Sequence, residues 1–286
     1  MDRIRRSWAL AKASYGVLRA DRELVVFPLI SFAALVVVLI LYALPLALVG
    51  INLDRGELTP VGYALTALFY VAAYTVTFFF QTALVGAAMI RLNGGDPTVS
   101  DGIRAASSRL PSIIGYAIIA ATVGMILRWI SERAGIVGSI VAGLLGFAWS
   151  VATFLVVPVL VVEGVGPIEA VKRSGAMLRK TWGEQLVGGF GIGLVFSVIM
   201  VVVVVIGATI IVGLASISST LMFVGIAALV LAVGAIALVA SALSGIYTAA
   251  VYRYATTGEA GQFGTDALAT AFRQKEPSRM GGLLGR

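Results

Sequence analysis

The chain has 286 residues, 59% of them apolar and only 12% charged, with a mean hydropathy of +1.01 and a net charge of +7. This composition excludes an ordinary soluble domain and describes a polytopic membrane protein. There is no cysteine and no histidine, which removes disulfides, thiol nucleophiles, the commonest zinc ligand and the commonest general base. No metal site and no cofactor are expected, and the first apolar run is too long to read as a cleavable signal peptide.

In chain order, residues 2–20 read as a basic helix lying in the membrane plane. Ile4, Trp8, Ala11, Tyr15 and Leu18 recur at helical spacing on one face. Arg3, Arg5, Arg6 and Lys12 cover the remainder, as candidate contacts for anionic lipid headgroups. Spans follow at 24–49 and 61–90, each long enough for roughly 30 Å of hydrocarbon at about 1.5 Å per residue. The second span carries a polar stripe in which Tyr70, Tyr74, Thr77 and Gln81 follow Tyr63 at helical spacing. That stripe fits two readings: the lining of a polar cavity, or hydrogen bonds to neighbouring helices.

A second surface helix is expected near 98–110, with Val99, Ile103, Ala106 and Leu110 as a weak apolar face. The third span, 111–127, is the shortest, and the fourth runs 136–162. Pro45 and Pro158 fall inside spans and are expected to kink them. A third surface helix occupies 167–182. Gly166 suits its N-cap, Pro167 its first position and Glu169 the third, where a carboxylate favours the helix dipole. Ile168, Val171, Leu178 and Trp182 form its apolar face, Gly183 its stop. Lys172, Arg179 and Lys180 join the candidate headgroup contacts.

The fifth and sixth spans are placed at 185–212 and 221–252. The run "VIMVVVVVIGATIIVG" is β-branched, yet it reads as helix, because an open strand would leave its backbone groups unpaired in lipid. Small and polar residues are expected to mark close helix packing: Ser139, Gly146, Ser150 and Thr153 in the fourth span, and Ser241, Gly245, Thr248 and Tyr252 in the sixth. Gly189, Gly193 and Ser197 in the fifth span leave a homo-oligomer open. The fold class is therefore all-α. A six-helix transmembrane domain fills 1–255, and a Gly-rich tail, 256–286, holds a candidate short helix at 265–274.

All but three of the 21 Lys and Arg lie in the two termini and the two connections on the same side as them. The exceptions are Arg55, Arg128 and Arg133. By the positive-inside rule this places both termini in the cytoplasm, with the chain in the cytoplasmic membrane. The basicity is topogenic, so nucleic acid is not an expected partner. The expected partners are the bilayer and its anionic headgroups.

Glu163 stands out among the charges. It closes the fourth span at a helix C-terminus, where negative charge is unfavourable. It reads as half of an interfacial ion pair with Arg173, or with Arg91 or Arg104. The other reading is a proton-relay or ligand site.

The segments "IRRSWALAKASYG" and "VKRSGAMLRKTWG" align without a gap, and "GIRAASSRLPSIIG" is a weaker third copy. Each precedes a span, which suggests one surface helix plus one transmembrane hairpin, used three times. Together "EGVGPIEAVKRSGAMLRKTWGEQLVG", "RSWALAKASYGVLRADRELVVFPLIS" and "YRYATTGE" resemble an uncharacterised family of prokaryotic six-helix membrane proteins, over nearly the whole chain. More distantly, the pattern of Ala170, Arg173, Ser174, Met177 and Trp182 resembles the membrane domain attached to some glycerophosphodiester phosphodiesterases. The resemblance implies the fold and no established activity; the phosphodiesterase chemistry does not carry over to a chain without a catalytic barrel or clustered acidic ligands. The favoured expectation is a non-enzymatic scaffold or accessory subunit with a membrane or cytoplasmic protein partner. The alternative is a transporter or lipid-handling permease with a cavity along the second span.

Overall fold

The computed structural model describes residues 12–52, 57–133, 135–182 and 191–258. Helix α1 covers 12–20 and passes through a 3-10 turn, Arg22–Val25, into α2, Val26–Pro45. The chain then makes a π-helical turn, Leu46–Gly50, directly after Pro45. A two-residue antiparallel ladder follows, β1 (Ile51–Asn52) with β2 (Glu57–Leu58), Ile51 facing Leu58. The remaining elements are α3 (Pro60–Leu92), α4 (Val99–Ser107), α5 (Leu110–Arg133), α6 (Gly135–Ala152), α7 (Val156–Glu163), α8 (Pro167–Trp182), α9 (Gly191–Ala215) and α10 (Ser219–Thr257). The protein is all-α, with six helical stretches long and apolar enough to cross a membrane.

The order is α1 then α2–α3, α4 then α5–α6, and α8 then α9–α10: a short helix before each hairpin. Caps explain several starts. Thr59 precedes Pro60 and accepts from the Gly62 N–H at 3.0 Å. Thr98 and Asp101 form a reciprocal capping box at the start of α4, the Thr98 N–H donating to Asp101 at 3.0 Å. The Thr98 hydroxyl, donating to the carboxylate at 2.7 Å, and the Thr98 N–H together hold the Asp101 carboxyl below its ordinary pKa. The β-branched run of the fifth span is helical within α9.

Three expectations need correction. The third span is not short: α5 has 24 residues and carries Arg128, Glu132 and Arg133 in its last turns. Hydropathy measures an apolar stretch, whereas the helix continues beyond it where the Arg128–Glu132 pair, at 2.7 Å and i,i+4 spacing, supports it. The fourth span is broken rather than kinked, with 153–155 separating α6 from α7. Pro158 has no N–H and its ring collides with the carbonyl four residues earlier, that of Phe154, so the break falls one turn before the proline.

The apolar faces of the surface helices also differ in part from those expected, although Leu18, Val99, Ile103, Ala106, Val171 and Leu178 do pack on the core. In α1 the buried positions are Ser14, Val17 and Leu18, while Tyr15 is exposed. In α8 they are Ala170, Ser174 and Leu178, while Ile168 is exposed. In α4 Gly102 and Ala106 are buried, and Leu110, expected on its face, is exposed at the start of α5. Small residues pack beneath the bundle because they let a helix axis come close. At Gly102 a side chain would collide with Phe27 and the Ala83 carbonyl.

The buried core lies at one end of the bundle. It takes Leu24 and Phe27 from the start of α2, Ala83–Leu92 from the end of α3, Ile113–Ala121 from the start of α5, Leu155–Leu160, and Ala242–Tyr252 from α10. At about 1.5 Å per residue, α3 is roughly 50 Å long and α10 roughly 58 Å, against about 30 Å of hydrocarbon. Both outrun the bilayer, and at this end α4 packs against α3 near its last turns. We call this the basic end. Towards the opposite end α10 has no buried residue before Ala242.

Candidate functional site

At the basic end, α8 is joined to α7 by an ion-pair network. Arg173 donates to Glu163 at 2.5 Å and to Glu169 at 2.9 Å. Glu163 also accepts from the Tyr252 hydroxyl of α10 at 3.1 Å. The Arg173 guanidinium holds the Glu169 carboxyl below its ordinary pKa. Arg91 instead pairs with Asp96 at 3.1 Å and approaches the Ala20 carbonyl. Arg104 is exposed on α4, where its charge acts on Asp101. The loop after α7 lets Glu163 and Arg173 face each other: Gly164 has φ +65, a left-handed conformation that favours glycine, and the Arg109 guanidinium fills the space a side chain would need.

The break between α6 and α7 frees the Leu155 N–H inside the protein. Ser174 of α8 accepts from it at 3.0 Å, both residues being fully buried. A buried N–H left without a partner costs about 1–3 kcal/mol, so Ser174 is a structural requirement of the broken helix. The repeat alignment singles out Ser174 but offers no partner for it, since Leu155 lies in what reads as unbroken helix.

Above this layer, α3, α5, α6, α7 and α10 enclose a cavity of about 630 Å³. Of the stripe on α3, Tyr74 and Gln81 line it. Tyr70 stands off its rim, its hydroxyl accepting from Arg128 at 3.0 Å. Thr77 is spent within its own helix, donating to the Ala73 carbonyl at 2.8 Å. At 100° per residue Thr77 is turned about 60° from Tyr74, whereas Phe78, Gln81 and Val85 stay within about 40° of it. The cavity face of α3 is therefore Tyr74, Phe78, Gln81 and Val85.

The other walls come largely from residues read as packing positions: Gly146, Ser150 and Thr153 on one side, Ser241, Gly245 and Thr248 on the other, joined by Ser244, which was not among them. Tyr116 and Trp149, also in the lining, carried no signal in the sequence. Aromatic rings stiffen one wall: Tyr70, Tyr74, Phe78 and Tyr116 follow each other at 6.5, 5.7 and 4.5 Å between centroids. Ser150, Ser241 and Ser244 are exposed, and α10 is unburied before Ala242, so the cavity opens sideways where α10 leaves the bundle.

The candidate headgroup contacts are partly described. Lys12, Lys172 and Arg179 are exposed on α1 and α8. Arg3, Arg5, Arg6, the side chain of Lys180 and the tail helix lie outside the described residues, as do Gly183 and Gly189. Among the described residues no three acidic groups gather for a metal ion.

A family model matches residues 60–263. The chain belongs to DUF6159, a family of unknown function. The DUF6159 match takes in all of α3 to α10, hence every helix that lines the cavity and all of the Glu163–Arg173–Tyr252 network. No curated protein and no solved structure matches, and the likeness to a phosphodiesterase membrane domain finds no support among these comparisons.

Proposed function

We propose that the protein is a lipid-handling membrane protein that binds an amphiphilic molecule in the cavity between α3, α5, α6 and α10. The observation that carries this reading is the combination of about 630 Å³ of space, polar lining and a sideways opening in helices able to span a bilayer. Ligand sites commonly have roughly 300–1,000 Å³, mostly apolar walls and a few placed polar groups. The scaffold reading draws on uncharged spans and basic surface helices, which a lipid-binding protein shares; the cavity favours the permease alternative specifically. Binding, with movement or presentation of the ligand, is the proposed activity, and no catalytic step is assigned.

The basic end faces the cytoplasm in this reading, with exposed Lys12, Lys172 and Arg179 against anionic headgroups. Single cysteines at Ser100 and Ser216, in a chain that has none of its own, test the orientation by impermeant labelling. Labelling of the Ser100 position from outside intact cells would overturn it. For the cavity, purification from native membranes followed by lipid extraction and mass spectrometry is expected to show one lipid enriched over its bilayer abundance. That lipid is expected to disappear in Ser244→Phe, which fills the opening. An identical lipid profile in the two proteins would remove the reading.

A further inference from the structure

We infer that the ligand of this cavity is an uncharged lipid with a free hydroxyl group, a lipid alcohol such as a diacylglycerol or a polyprenol, rather than a phospholipid. The inference rests on the cavity reading above and narrows it by chemistry. No Asp, Glu, Lys or Arg is among the residues that line the space. The nearest charges along the chain already have partners, Arg253, five residues beyond Thr248, donating to the Leu92 carbonyl. Arg128, just beyond Leu127, is held by Glu132 and Tyr70. Glu163, six residues beyond Val157, is held by Arg173 and Tyr252. A phosphate drawn inside would lose its water and gain no counter-charge, a cost that buried ions avoid only by pairing.

The neutral groups have a polarity of their own. Ser150 donates to the Gly146 carbonyl at 2.9 Å, Thr153 to Trp149 at 2.8 Å and Thr248 to Ser244 at 2.8 Å. Each hydroxyl has spent its one proton on its own helix and offers only lone pairs to the cavity. Ser150, Thr153 and Thr248 accept, while Tyr74, Gln81, Tyr116, Ser241 and Ser244 of the same lining carry donor protons, so the walls suit a group that both accepts and donates. An alcohol O–H does both; a phosphodiester or a carboxylate has no proton to donate and brings a negative charge to a lining without a cation. The apolar remainder of the lining, with Phe78, Val85, Leu127 and Phe154, suits the start of the chains, which can leave through the side opening into the bilayer.

The test uses the full-length protein in nanodiscs with photoactivatable lipids. A diacylglycerol and a polyprenol are compared with a phosphatidic acid whose acyl chains match those of the diacylglycerol, and labelled peptides are mapped by mass spectrometry. At least one alcohol is expected to label the cavity walls at least tenfold above the phosphatidic acid, with competition by its unlabelled form. Thr153→Val and Thr248→Val keep the shape and remove the acceptors; together they are expected to cut that preference below threefold. Phosphatidic acid labelling the cavity as well as either alcohol would overturn the inference and leave the cavity reading standing. Preference unchanged in the valine double variant would also overturn it. Absence of cavity labelling by all three probes would overturn both.

Discussion

The two ends of the bundle are built differently. At the basic end helix termini converge under α1, α4 and α8, and the buried core is there: Leu24, Phe27, Ile113, Leu160 and Ile246 are all essentially inaccessible. Towards the opposite end the same helices expose large apolar side chains, such as Leu231 at 74% and Ile136 at 83%, and α10 packs there beside α9 without burying a residue. In a bilayer, lipid covers the second set as well as protein covers the first, so apolarity alone does not dictate which helices touch. Small residues and polar contacts decide it, and they are concentrated at the basic end. The cavity sits at the boundary between the two regimes, where α10 leaves the packed layer.

The largest test of this contrast is a pair of leucine truncations. Leu160→Ala, in the core, is expected to cost about 2–5 kcal/mol, and Leu231→Ala, on the open part of α10, within about 0.5 kcal/mol. Thermal unfolding in one detergent compares them; similar losses would mean that the opposite end is packed after all. Next comes Ser174→Ala, which leaves the Leu155 N–H unpartnered and is expected to cost about 1–3 kcal/mol. Ser150→Ala, whose hydroxyl only back-bonds to its own helix, is the control and should change stability little. Amide exchange at Leu155 should accelerate in the first variant and not in the second.

Thr98→Ala removes the N-cap of α4 and is expected to cost about 1 kcal/mol, read as faster exchange in the first turn of α4. The smallest expected effect is of pH on the same cap. The Asp101 carboxyl is lowered from its ordinary value of 3.8 in the folded chain, so its contribution is fully present above that value. It is lost as pH falls below 3.8 through the lowered pKa. First-turn protection of α4 should therefore weaken on acidification below that value, and Asp101→Asn should reduce the pH dependence while weakening the cap, Glu23 still accepting from the Val99 N–H.

Much of the molecule was legible beforehand, for identifiable reasons. Six spans follow from apolar length, and the start of α8 at Pro167 from local chemistry alone. The Glu163 carboxylate asked for a cation, and three arginines qualified equally by type. The chain reversal at Gly164 brings Arg173 to it, while Asp96 takes Arg91. The polar stripe on α3 was visible as a periodic pattern, but period alone does not separate Gln81, which reaches the cavity, from Thr77, which turns back to its own backbone.

The sequence by itself determined that this is a helical membrane protein with one strongly basic side, because hydrocarbon demands paired backbones and because positive charge is distributed by loop. It determined that short helices precede each hairpin. Only the tertiary structure decided that the fourth span breaks before Pro158, that Ser174 on another helix compensates the break, and that small residues on α6 and α10 face a space instead of each other. Those outcomes depend on where one helix stands relative to the next, and a pattern along one helix carries no record of that.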